Sequence, residues 1–295
     1  MDLKINIKKE PKNTYKIEVS VPKDVVKKYL DEALEHEASH LEVKGFRKGT
    51  VPATVAKDFI DHSALRSHAL NHMLPEVFTR IIKENKLNPI IGPRVELKKF
   101  ENDEDLELDI TIVEKPEIKI GDYKKLLQDK FAKKSVKDII EVAGDTTPKA
   151  EKSSEFTSQD AIQVILEASE VEIADLIVQE EVARMMTSLI DQTAQLGISI
   201  EQYAEAHKKN VQQIRDEYTK AAQDLIKADF ALTEIAKSEN VTVDDEEIEK
   251  LISEVPDKQS KEALNNPEQK MYIKAVLIKN KALERLVEIA KSKNN

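Results

Sequence analysis

Residues His36 to His40 read His-Glu-Ala-Ser-His, an order of side chains that can do chemistry. Two histidines one helical turn apart share a face and can hold Zn²⁺, and the glutamate beside the first can activate a bound water, as in zinc proteases. Such a centre needs a third ligand, and His62 or Glu76 would have to supply it with no recognisable motif downstream. The helix also leads into an open turn, a poor place for a dry catalytic pocket. His68 and His72 form a second pair at the same spacing. No carboxylate or cysteine is placed to complete a site there, so a partly exposed helix face accounts for the pair. The six glycines are scattered singly, which excludes a glycine-rich phosphate loop, and no Ser/His/Asp arrangement can be assembled. With no cysteine at all, disulfides, zinc thiolates and thiol nucleophiles are excluded. The expectation is a protein without catalytic groups, metal or other cofactor.

A second constellation suits binding. Residues Lys44 to Pro52 read Lys-Gly-Phe-Arg-Lys-Gly-Thr-Val-Pro. Gly45 and Gly49 ease a turned backbone, and Pro52 suits the first turn of a helix. Phe46 has no obvious core partner and could stack or fill a pocket, while Arg47 and Lys48 suit phosphates. Taken alone, the motif is equally an ordinary basic turn between helices.

The elements that must carry these residues follow from periodicity. Leu3, Ile5 and Ile7, then Tyr15, Ile17, Val19 and Val21, alternate at period two and predict two strands. From Lys23 the spacing changes to Val25, Val26, Tyr29, Leu30, Ala33 and Leu34, the stripe of an amphipathic helix. Glu37 then lands where the stripe should be apolar, so the distal turns are expected to leave the core and carry the basic loop outward. A second helical region runs from Val55 to Ile82, with Pro75 marking a break or kink. Arg94–Phe100 and Leu106–Val113 alternate again around a polar turn. Residues 1–115 therefore predict an α+β domain of order β-β-α-α-β-β.

Residues 116–157 read as an extended segment and a partly helical or loose linker. From residue 158 to 295 the stripes are helical throughout, among them Leu176 to Ile190 closed by Gly197, and Ser199 with Gln202 forms a capping-box pattern. The whole is an α+β domain followed by an all-α domain, elongated because 4% aromatic and 35% charged residues favour long solvent-washed helices over a compact aromatic-rich core. The net charge of −10 falls mostly beyond residue 123, so nucleic-acid contact is confined to the small positive patch at Lys44 to Lys48. The N-terminus alternates polar and apolar residues instead of forming a signal region, and no apolar run reaches membrane-spanning length, which points to the cytoplasm.

Gly45-Phe46-Arg47-Lys48-Gly49 followed by Pro52 resembles the signature loop of the trigger factor family of ribosome-associated chaperones. Leu166 to Ile173, Val241 to Ile252 and the final helical stripe resemble that family's C-terminal domain. The resemblance implies that Gly45, Phe46, Arg47, Lys48, Gly49 and Pro52 dock on the large ribosomal subunit beside the exit tunnel. It also implies that the helical arms cradle nascent and unfolded polypeptides without ATP. The family typically inserts an FK506-binding-type prolyl isomerase domain after the N-terminal domain. Here residues 124–155 carry one aromatic, Phe131, too few for such a pocket, so that domain is expected to be missing and the chain to be no enzyme. A prolyl isomerase and a ribosome-independent holdase remain the rival readings, and self-association of the free protein is left open.

Overall fold

The computed structural model describes residues 3–43, 46–47, 51–101, 104–142 and 156–292, with the side chains of 53 and 135–142 left aside. The chain divides into two compact units, Met1–Pro116 and Glu117–Asn295.

In the first unit, β1 (Lys4–Glu10) and β2 (Thr14–Val21) form a hairpin. Lys12 and Asn13 close it with φ of 61° and 51°, a left-handed pair that matches the twist of the flanking strands. β3 (Arg94–Lys99) and β4 (Leu106–Val113) complete an antiparallel sheet of order β1-β2-β4-β3. The register sets Ile17 opposite Ile110, Val19 opposite Leu108 and Val21 opposite Leu106. Because side chains alternate, these six apolar residues share one face. Two helices cover that face: α1 (Lys23–His40) with Val26, Tyr29 and Ala33, and α3 (His62–Asn85) with Ala69, Met73, Val77 and Ile81. Between them lies a short helix, α2 (Ala53–Ala56). The outline is the expected α+β order with this one helix added.

Two local expectations are corrected. Pro75 does not break α3, which runs through it. Pro75 is exposed, as is Asn71, whose carbonyl loses its partner, while Met73 and Val77 anchor the adjoining turns at 1% and 0% exposure. Nor does α1 lose its apolar side after Leu34. Leu34 and Ala38 are buried with Val51 and Ala56 in a small second core, joined by Leu41, Val43, Val55 and Ile60.

The second unit opens with β5 (Ile118–Ile120), paired antiparallel to β6 (Ser169–Val171). Helix α4 (Tyr123–Val142) follows, so residues expected as linker enter the fold. Leu127 is fully buried against α5 (Ser158–Ala168), α8 (Val211–Ser238) and α11 (Pro267–Lys291), among residues such as Ile165, Ile235 and Leu286. α6 (Asp175–Gln195) is followed by Gly197 at φ 74°, and Ser199 caps α7 (Ile200–Ala206) reciprocally with Gln202, as read from the sequence. Two further capping boxes, Thr157 with Asp160 and Asn210 with Gln213, start α5 and α8. α9 (Asp245–Glu254) and α10 (Lys258–Leu264) complete the helices, and Ile248 and Ile252 pack with Leu277 and Ile278 of α11. The second unit is thus almost wholly helical. Among the described residues, no helix is long and apolar enough to cross a membrane.

Candidate functional site

The connection from α1 to α2 carries the basic motif. Gly45, Lys48 and Gly49 lie outside the described residues. Phe46 is 42% exposed, large for a phenyl ring, and its N–H donates to the Val43 carbonyl at 3.0 Å. Arg47 beside it is exposed. Pro52 precedes α2, and its carbonyl accepts from Val55 and Ala56 at 2.9 Å each, starting that helix. The small core of Leu34, Ala38, Val51 and Ala56 therefore holds both ends of the loop. An apolar ring and a guanidinium on a supported turn can bind a surface that offers both a crevice and anionic groups.

The histidines assort differently from the expectation. His36, Glu37 and His68 come together across α1 and α3, with their ligand atoms within 4.8 Å of one another. Neither His62 nor Glu76 completes this group; Glu76 instead accepts from Tyr29. Burial is the main reason the Tyr29 phenol is pushed up to about 12, and the Glu76 carboxylate adds to it. The sequence places no carboxylate to complete a site at the His68 and His72 pair; in the fold Glu37 Oε1 lies 2.9 Å from His68 Nδ1, in a group that takes in His36 and not His72. This partner is 31 residues away in sequence, and only the packing of α1 on α3 reveals it. Glu37 is thereby engaged by an imidazole, which removes it from the water-activating position of a zinc protease.

On the second unit, large apolar side chains stand in solvent: Leu196 at 75%, Met271 and Tyr272 at 67% each, and Leu225 at 50% exposure. Their helices bury other faces, so these residues are surplus to the core.

Two family models match the chain. One, described as "Bacterial trigger factor protein (TF)", covers residues 3–143, and the other, "Bacterial trigger factor protein (TF) C-terminus", covers residues 147–288. Trigger factor from Staphylococcus epidermidis is 36% identical over 108 residues, 37% of this chain and 25% of that protein. Trigger factor from Streptococcus agalactiae serotype Ia is 35% identical over 122 residues, 41% of this chain and 29% of that protein. The aligned part thus spans little more than a quarter of the length of these curated relatives. A solved structure, described under "Promiscuous Substrate Recognition in Folding and Assembly Activities of the Trigger Factor Chaperone", shares the fold at a TM-score of 0.61 and 15% identity, covering 96% of this chain and 99% of that one.

Proposed function

Because the chain belongs to the trigger factor family, we propose that it is a chaperone that docks on the large ribosomal subunit near the exit tunnel and shields nascent or unfolded chains without ATP. The observation that carries this reading is the exposed pair Phe46 and Arg47 on a loop supported at both ends. Residues 1–115 form the docking domain in this reading, with Gly45, Lys48, Gly49 and Pro52 shaping the same contact. The helical body from residue 117 onward holds clients, α4 included. Its exposed Leu196, Leu225, Met271 and Tyr272 offer scattered, adaptable apolar contacts. Many weak contacts acting together retain an unfolded segment, and release follows when the client buries its own apolar surface.

The reading assigns no prolyl isomerase activity. It is supported by the two family matches, which leave residues 144–146 between them where the family's isomerase domain would be inserted. The place of action is the cytoplasm, with ribosomes and unfolded polypeptides as partners. Alanine at Phe46, Arg47 and Lys48 together is expected to abolish co-sedimentation with large ribosomal subunits while leaving circular dichroism unchanged; retained co-sedimentation overturns the docking assignment. In a proline-limited refolding assay, suppression of aggregation near stoichiometric ratios is expected, and acceleration at catalytic ratios would favour the isomerase. Sedimentation velocity of the free chain reads its self-association.

A further inference from the structure

Four histidine rings form a ladder across α1 and α3, and the docking reading uses none of them. The centroids of His40 and His36 are 5.0 Å apart, those of His36 and His68 are 4.7 Å apart, and those of His68 and His72 are 4.8 Å apart. Glu37 enters the middle of this ladder, with Oε1 2.9 Å from His68 Nδ1 and 3.9 Å from His36 Nδ1.

We infer that His36, Glu37 and His68 form a binding site for a divalent transition-metal ion of the Zn²⁺, Co²⁺ or Ni²⁺ class. Two imidazole nitrogens and one carboxylate oxygen are a donor set these ions accept, whereas Mg²⁺ and Ca²⁺ take oxygen. A tetrahedral ion with bonds near 2.1 Å holds its ligand atoms roughly 3.4 Å apart. The two separations from Glu37 Oε1, 2.9 and 3.9 Å, fall on either side of that spacing, so side-chain rotation is enough to close the site. The His36 side chain is 56% exposed and the His68 side chain 19%, which gives the ion a route in from solvent and one ligand already held in place. Water fills the remaining coordination, with His40 and His72 flanking. As a ligand, Glu37 cannot also be the base that activates water, and the role of the ion is to bridge two helices. It staples the end of α1 to the start of α3, at the root of the Phe46 loop.

The test titrates the full chain, free of any histidine tag, with Co²⁺ and follows its visible absorption. One equivalent is expected to saturate the signal, and Zn²⁺ to displace it. His36→Ala, His68→Gln and Glu37→Gln should each weaken binding at least by the roughly tenfold seen when an outer-shell partner is lost. His207→Ala, in the other unit, should leave it unchanged. Circular dichroism checks the fold of each variant, and the exposed His36→Ala decides the matter if His68→Gln does not fold. Absence of saturable binding overturns the site, as does a titration that His36→Ala and His207→Ala affect alike.

Discussion

The carboxylate of Glu239 lies 2.7 Å from the Lys124 ammonium, joining the residue that ends α8 to the first turn of α4. The Tyr123 hydroxyl donates to the same oxygen at 2.7 Å, and Arg285 of α11 approaches the other oxygen at 3.7 Å. The acid also faces the positive end of the α4 dipole. With its side chain only 10% exposed, Glu239 ties the end of α8 to α4 and α11 at once.

Glu239→Gln should therefore destabilise the helical unit by about 1–2 kcal/mol, the size of a part-buried charge-assisted hydrogen bond, as read by chemical denaturation. The Lys124 ammonium, then the Tyr123 hydroxyl, hold the pKa of Glu239 below its ordinary 4.5. A carboxyl with a depressed folded pKa stabilises fully above the unfolded value and loses that contribution as pH falls. The gap between wild type and variant should shrink below about pH 4.5; a gap constant down to strong acid would remove the ionic part of the explanation.

Asp160 gives a second acid-sensitive contact. Burial works to raise its pKa, but the Lys134 ammonium at 2.7 Å and the N–H and hydroxyl of Thr157 prevail and bring it down to about 2 from 3.8. Its contribution is present above pH 3.8 and disappears towards pH 2. Asp160→Asn should cost about 1 kcal/mol at neutral pH, with α5 the element that loosens. Hydrogen exchange resolved along α5 would measure it, and unaltered protection there would refute the capping role.

Leu127→Ala separates a linker from a core element. A side chain with 0% exposure among Ile165, Ile235 and Leu286 should cost about 2–5 kcal/mol when truncated to Ala. A linker residue would cost almost nothing, so an unchanged denaturation midpoint would return α4 to the role of a connector.

Within the proposed docking loop, Phe46 and Arg47 should differ in their dependence on salt. Replacing Arg47 by Ala is expected to reduce the slope of log affinity for large ribosomal subunits against log salt by about 1, as for any lost phosphate contact. Phe46→Ala should weaken binding with the slope preserved. Equal slopes for both variants and wild type would show that Arg47 meets no phosphate.

Where period and burial agree, the sequence already carries the fold. Ile17, Val19 and Val21 alternate because one sheet face is wet, and the strands were legible for that reason. α4 was not, since its many lysines hide the short stripe of Tyr123, Leu127 and Phe131 that packs into a core built by three distant helices. Pro75 looked like a break because sequence alone does not tell which way its missing N–H faces. Ala38 was too small to register as apolar continuation until Val51 and Ala56, from beyond the loop, covered it. Phe46 and Arg47 were visible by type alone, whereas the Glu37 and His68 meeting depends on how two helices cross, which no local pattern encodes.

The cluster of Leu34, Ala38, Val51 and Ala56 has a bearing on how quickly a partner could be engaged. By anchoring the strand of backbone on both sides of Phe46, it shortens the effective tether and narrows the volume the ring can sweep. Less freedom is left to surrender on contact, so even a small footprint can be engaged at little ordering cost.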